Sequence, residues 1–387
     1  MQEFYLKELL KIKNGKDHKV LSEGDIPVFG SGGIMRFGNK YLYDKESILL
    51  PRKGSLENIQ FSNIPFWTVD TLYYTEINVD LTEPYYLYYF LKSLNLERLN
   101  SGTGVPSMTF DAYYNVKIKL PSLANQKVLA GVLRSIDSKI ELNNKLNDNL
   151  EQMAKTLYDY WFVQFDFPDA NGKPYKTGGG KMVWNDELKR EVPSGWEVKK
   201  IKDFAKTGSG GTPLSTKHEY YKDGNIPWIN SGEVNSSFII ESKNYITEAG
   251  LNNSSAKIFP KGTILMAMYG ATAGQVSLMD IEACTNQAIC AIMPNDRRIS
   301  PYLKFGLHQI YQHLINLSSG SARDNLSQDK IKELFFAIPE DRILHSYFEI
   351  GNQCFKMILT NIKENQKLAE LREWLLPMLM NGQVKIG

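Results

Sequence analysis

Gly24-Asp25-Ile26-Pro27-Val28-Phe29-Gly30-Ser31-Gly32 returns 200 residues later as Gly224-Asn225-Ile226-Pro227-Trp228-Ile229-Asn230-Ser231-Gly232. The echo goes on in register. Ser47-Ile48-Leu49-Leu50 ahead of Gly54 answers Thr263-Ile264-Leu265-Met266 ahead of Gly270, and Val69-Asp70-Thr71 answers Thr285-Asn286-Gln287. Glu83-Pro84-Tyr85 then answers Ser300-Pro301-Tyr302, and at Ser101-Gly102-Thr103 and Ser319-Gly320-Ser321 the offset has grown to 218. The order is kept and only loops lengthen. Both copies end on a proline, Pro121 and Pro339, and run straight into a long helical pattern. The unit of duplication is a globular domain followed by a helix.

Within each copy, Gly, Asn and Ser punctuate short apolar runs, the mark of strands and turns. Ser47 to Pro51 and Phe66 to Asn78 read as strands of the first copy, with one helix from Pro84 to Leu99. The second copy has strands near Thr263 to Met268 and Ala283 to Met293 and a helix from Pro301 to Leu317. The class is mixed α/β (α+β). In the aromatic run Tyr85-Tyr86-Leu87-Tyr88-Tyr89-Phe90, rings at every angle of a helix point to core packing rather than to a ligand platform.

After Pro121 the pattern changes to heptads. Leu129, Leu133, Ile136, Ile140, Asn143, Asn147, Leu150, Ala154, Leu157 and Trp161 fall at alternating steps of four and three. Such a helix of about 40 residues is roughly 60 Å long and cannot fold alone. A shift of 218 gives a rougher second seam, Tyr347, Gly351, Cys354, Ile358, Asn361, Asn365, Leu368, Arg372, Leu375 and Leu379. Both seams carry two asparagines at mid-helix. A buried asparagine costs stability and fixes register, because only a polar partner satisfies its amide. Antiparallel pairing about the midpoints would set Asn143 against Asn365 and Asn147 against Asn361.

The layout that follows is a first domain at 1–121, a central helix at 122–163, a Gly/Pro-rich linker at 164–198, a second domain at 199–339 and a C-terminal helix at 340–387. This topology implies two like domains separated by a long antiparallel two-helix coiled coil, with a pseudo-twofold axis between them.

Composition narrows the function. The chain has 387 residues, 42% of them hydrophobic, and no run approaches the roughly 18 apolar residues of a membrane span. The N-terminus lacks the basic and then apolar segments of a secretion signal, so a cytoplasmic location is expected. Cys284, Cys290 and Cys354 have neither the number nor the spacing of a disulfide frame or a zinc site. Net charge is +2, from 45 basic and 43 acidic residues. That is slight for a protein that holds nucleic acid unaided, so any grip on DNA is shared with partners.

Catalytic motifs are mostly missing. Gly15-Lys16, Gly172-Lys173 and Gly180-Lys181 are followed by Asp17, Pro174 and Met182, so no phosphate loop exists. No Asp/Asn-Pro-Pro-aromatic tetrapeptide of amino-methyltransferases occurs. Pro168-Asp169 with Glu187-Leu188-Lys189 satisfies a loose metal-nuclease pattern, but in a flexible connector rather than on a rigid sheet. What recurs instead is a set of polar and aromatic loop residues. In the first copy these are Ser31, Arg52, Lys53, Ser55, Asp70, Thr103 and Ser107. In the second they are Trp228, Asn230, Ser231, Tyr269, Thr272, Gln275, Asn286, Gln287, Arg323 and Asn325. Arginine reads guanine bidentately, asparagine or glutamine reads adenine, and small hydroxyls hold phosphate. The same residue types also populate turns for conformational reasons alone.

The chain resembles the specificity (S) subunits of type I restriction-modification systems over essentially its whole length. The resemblance rests on the duplicated domains, on 224–233, on Met268-Tyr269-Gly270-Ala271-Thr272-Ala273-Gly274 and on Thr285-Asn286-Gln287-Ala288. Ile136-Asp137-Ser138-Lys139-Ile140 with Asn143-Asn144, and Leu371-Arg372-Glu373-Trp374-Leu375-Leu376-Pro377, add to it. It implies a non-catalytic subunit with two target recognition domains, each taking one half of a split, asymmetric double-stranded DNA site in the major groove, and a helix pair that sets the unread gap. Two methyltransferase (M) subunits with S-adenosylmethionine would dock on it, and two restriction (R) subunits with ATP and Mg²⁺ would complete the complex, so no cofactor is expected in this chain. A stand-alone Mg²⁺-dependent nuclease and a coiled-coil scaffold that binds only proteins are the competing readings.

Overall fold

The computed structural model describes residues 1–94, 96, 100, 106–317 and 326–380, and of 312–317 the backbone alone. Two compact units make up the chain, Met1–Glu141 with Asn365–Gly387, and Leu142–Glu364. Each unit holds one globular region and a stretch of both long helices, Leu123–Tyr158 and Asp341–Met380.

In the first unit, Gln2–Tyr5 pairs antiparallel with Lys117–Leu120, which brings the start and end of the globular region together. A four-stranded sheet follows in the order Leu10–Asn14, Leu72–Ile77, Ser47–Pro51, Gln60–Ser62. Ser47 to Pro51 is buried at every position, as an unbroken apolar run between two neighbours should be. Its one hydroxyl is satisfied: Ser47 Oγ donates to the Thr75 carbonyl at 2.8 Å. A second sheet holds Gly33–Gly38, Ile26–Gly30 and Trp67–Thr68, the last two running parallel with Val28 opposite Trp67.

The second unit repeats this plan. Glu197–Lys200 pairs with Phe335–Ile338. Ala205–Ser209, Ile289–Pro294 and Ile264–Ala267 lie side by side in a five-stranded sheet. Ile226–Ile229 runs parallel to Ala283–Thr285, with Trp228 opposite Cys284. The repeated peptides of the sequence are thus the same strands in both units. The segment between the long helix and the second domain carries a hairpin, Met182–Asn185 with Arg190–Pro193. It also sends Phe165, Phe167 and Trp196 into the core of the second unit.

The helix expected from Pro84 to Leu99 ends at Ser93, where Leu94 turns extended. Tyr86, Leu87 and Tyr89 of its aromatic run are buried. Glu83 starts it by accepting from the Tyr86 amide with Oε2, while its Oε1 binds Arg134 of the central helix at 3.0 Å.

The globular regions dock on the helices through polar as well as apolar contacts. In the first unit Asp137 accepts from Tyr85 and Tyr89, each at 2.5 Å, and from Arg372 at 2.7 Å. Leu129 and Leu133 pack with Leu376 and Leu379 beside this cluster. In the second unit the contact is a ring cluster of Tyr158, Trp161, Phe162, Tyr302 and Tyr347. Each such side chain contributes on the order of 2 kcal/mol or more through burial. There Asn361 donates to the Asn147 side-chain oxygen at 2.8 Å across the helix pair. Asn143 is fully buried and donates to the Glu364 carboxylate at 2.8 Å.

Candidate nucleic-acid interface

Parallel pairing at the heart of each domain gathers the candidate residues at one set of strand ends. In the first unit, Ile26–Gly30 and Trp67–Thr68 end together, so Ser31 lies beside the turn that carries Asp70, and the Val69 amide donates to the Phe29 carbonyl at 3.0 Å. Ser47–Pro51 delivers Arg52 and Lys53 to the same place. Both of their amides donate to the Thr71 carbonyl, and Arg52 Nη1 donates to the Asp70 carbonyl at 3.3 Å. Lys53 forms an isolated bridge with Ser107. Between them Gly54 has φ +90, and a Cβ there would lie 3.4 Å from Ser31 Oγ. Ser31, Arg52, Lys53, Asp70 and Ser107 therefore share one edge, and Ser55 follows on it, exposed. Arg52 also lies 5.9 Å above the ring of Tyr73. Burial raises the pKa of that phenol, with Arg52 opposing, so Tyr73 stays a neutral floor.

In the second unit the Asn286 amide donates to the Ile229 carbonyl at 2.9 Å, which sets Asn286-Gln287 beside Asn230-Ser231. Thr272 Oγ1 donates to the Ser231 carbonyl at 2.7 Å and adds the 268–274 loop to this edge. That loop turns at Gly270 and Gly274, both at φ +79. Tyr269 and Gln275 are exposed at its two ends. Gln287 receives a hydrogen bond from Thr212 Oγ1 at 2.6 Å. Thr212 was no sequence candidate, because nothing near it in the chain marks it and only strand pairing brings it there.

Trp228 and Asn230, like Thr272 and Gln287, have polar groups engaged within the fold. The Trp228 indole N–H donates to the Gly211 carbonyl at 3.0 Å, and its ring packs against Cys284 and Ile246. Asn230 caps the turn Ser231–Glu233, accepting from the Gly232 amide at 3.0 Å. Thr103, Arg323 and Asn325 lie outside the described residues.

The nuclease pattern is not assembled. Asp169 Oδ1 accepts from the amides of Asn171 and Lys173 at 2.7 and 2.9 Å, closing its own turn, and Lys189 pairs with Asp186 at 3.9 Å. Burial pushes the Cys284 thiol up to about 11 and the Cys290 thiol to about 12, so neither is a thiolate near neutrality. Among the described residues no helix is long and apolar enough to cross a membrane, and no His, Cys, Asp or Glu group has the form of a metal site.

A family profile described as the type I restriction modification DNA specificity domain matches residues 1–152 and 193–371. The HindI type I restriction enzyme specificity subunit of Haemophilus influenzae is 28% identical over 366 residues, covering 80% of this chain and 79% of that protein. The MjaIX specificity subunit of Methanocaldococcus jannaschii is 26% identical over 356 residues, covering 89% and 79%. In fold, the chain is similar to the crystal structure of a type I restriction-modification S subunit from M. genitalium, with a TM-score of 0.59 at 17% identity over 100% of this chain and 96% of that one. A duplicated mixed α/β domain on paired helices, matched by that profile over most of its length, belongs to the type I restriction-modification DNA specificity family: the chain is a non-catalytic DNA specificity subunit.

Proposed function

We propose that each globular domain reads one half of a split, asymmetric DNA site through the strand-end edge described above, and that the helix pair sets the unread gap between the halves. One observation carries this reading: the two domains share their strand pairing but differ in the side chains at that edge, Arg52, Lys53 and Asp70 in one and Tyr269, Asn286 and Gln287 in the other. A common scaffold with different polar side chains suits two different short sequences, since base edges are told apart by donor and acceptor pattern. The role divides over 1–121 and 199–339 as recognition domains, with 122–163 and 340–387 as the spacer. Asn143, Asn147, Asn361 and Asn365 hold its register.

In the cytoplasm, two methyltransferase subunits that bind S-adenosylmethionine and two ATP- and Mg²⁺-dependent restriction subunits would dock on this chain and supply the chemistry. They would also supply most of the phosphate contacts that a net charge of +2 leaves wanting. The test is methylome sequencing of cells that carry this subunit with its methyltransferase partner. Exchange of residues 1–121 for the matching domain of a relative should change one half of the methylated motif and leave the other half intact. A motif that changes in both halves or in neither contradicts the assignment, as would DNA cutting by the purified chain with Mg²⁺ alone.

A further inference from the structure

The first recognition domain carries a feature that its sibling lacks. Ile26–Gly30 turns back through Ser31 and Gly32 into Gly33–Gly38, an edge strand of its sheet. The register runs Val28 opposite Arg36 and then Phe29 opposite Ile34, so Met35 is an extra residue in a β-bulge. Bulges re-aim side chains and are frequent beside functional sites. Ile34 and Met35 are 54% and 57% exposed. Exposed apolar side chains on an edge strand invite unwanted pairing unless something covers them in use.

The tip is held firmly. Asn58 Nδ2 donates to the Ser31 carbonyl at 2.6 Å and Gln60 Nε2 donates to the Gly30 carbonyl at 2.9 Å. Gly30 makes room for Met35: a Cβ at Gly30 would lie 2.4 Å from the Met35 sulfur. Arg36 is tied back by its Nη2, which donates to the Leu21 carbonyl at 3.0 Å. The second domain begins the same way, with Pro227 opposite Tyr245 as Pro27 is opposite Phe37. It then departs. Its longer connection buries Val234, Phe238 and Ile239, and Glu233 ties the base together, accepting from the Asn230 and Lys243 amides at 3.1 and 2.8 Å. Among the described residues, the apolar bulged tip belongs to the first domain alone.

From this geometry, and resting on the function proposed above, we infer that Ile34 and Met35 form a base-reading finger. Within the half-site of the first domain they meet the apolar part of the major-groove floor, the 5-methyl groups of thymines. The chemistry favours DNA over a protein partner. The exposed apolar side chains of this strand, Ile34, Met35 and Phe37, beside the polar Ser31, fall far short of the roughly 800 Å² per partner of a stable protein interface. Together they offer an apolar surface broad enough to cover a thymine methyl, the one apolar group among polar base edges. A contact held in advance by Asn58 and Gln60 also loses little freedom on binding.

The test uses the complex assembled with its methyltransferase partners and a pool of duplexes in which both half-sites are randomised. The parent complex, Ile34→Ser/Met35→Ser and Met35→Leu are compared. The double variant should lose selectivity by about 3- to 10-fold at one or two adjacent positions of one half-site, with the other half unchanged. Met35→Leu, which keeps the apolar volume, should retain the parent preference. Deoxyuridine in place of thymine at the affected positions should weaken the parent by a similar factor and the double variant hardly at all. Unchanged preferences in both halves overturn the finger while the parent's split preference upholds the function. A double variant that no longer assembles with the methyltransferase, or parent binding indifferent to deoxyuridine, overturns it as well. A parent with no split preference overturns the function and the finger together.

Discussion

At the scale of single residues, the strand-end edge of each domain depends on glycines that let backbones touch. A Cβ at Gly210 would lie 1.9 Å from the Thr285 carbonyl oxygen, and one at Gly15 would lie 2.0 Å from that of Val69. Backbone cannot swing aside as a flexible side chain can. Gly210→Ala should therefore shift the Thr285 to Gln287 turn and cost about 1–3 kcal/mol, read as a lower midpoint in denaturant. It should also relax the half-site of the second domain alone; a variant as stable and as selective as the parent would refute the close-contact account. A second residue-scale prediction concerns Lys304, nearly buried, whose Nζ is 2.8 Å from Glu151 Oε1. Burial lowers the Lys304 pKa despite this partner. For Glu151 burial works upward, but the charge and hydrogen bond of Lys304, with a bond from Ser237, hold its pKa below the ordinary 4.5. A carboxyl depressed in the folded state adds stability that is complete above pH 4.5 and lost as pH falls through the folded value. The gap in melting temperature between the parent and Glu151→Gln should be full near neutrality and close below that pH. A gap that stays constant down to pH 3 would remove the ion pair as its cause.

At the scale of elements, the helix pair of the second unit combines an apolar seam with polar interruptions. Ala154, Cys354 and Ile358 are buried, while Asn147 and Asn361 bond to each other. Replacement of both asparagines by leucine should raise stability by about 1–2 kcal/mol, because two apolar side chains at a seam outdo one amide pair. The same change should blur the accepted gap between half-sites, since shifted pairings are no longer penalised. Melting and methylation of substrates with altered gaps check the two parts separately. Helices are easier to place from sequence than their ends are. The heptads of 129–161 were legible because they repeat, whereas the stop after Ser93 depends on Leu94 leaving the helical region. Likewise Phe165, Phe167 and Trp196 lie in a Gly/Pro-rich stretch whose composition speaks for a connector, yet they enter the core because the second unit offers them an aromatic surface.

At the scale of the whole molecule, the ruler reading makes a quantitative forecast. One heptad added to each long helix lengthens it by about 10 Å, or roughly three base pairs of B-form DNA. Methylome sequencing should show both half-sites preserved and the gap longer by about that number. An unchanged gap would mean that something other than helix length sets the spacing.

Two like mixed α/β domains, the long heptad helix that follows each, and the family of specificity subunits can all be read along the chain. Repeats and heptads are periodic along the chain, and periodicity survives in one dimension. Tertiary structure decided which loop residues share an edge: Arg52 with Asp70, Ser107 with Lys53, and Thr212 with Gln287 are joined by strand pairing between distant segments. It also showed Trp228 and Asn230 engaged in packing and capping, although their types alone could equally have meant contact with a base. The physical reason is the same throughout. A hydrogen-bonding side chain advertises its chemistry in the sequence, but whether a partner within the fold already satisfies it is settled only when distant strands meet.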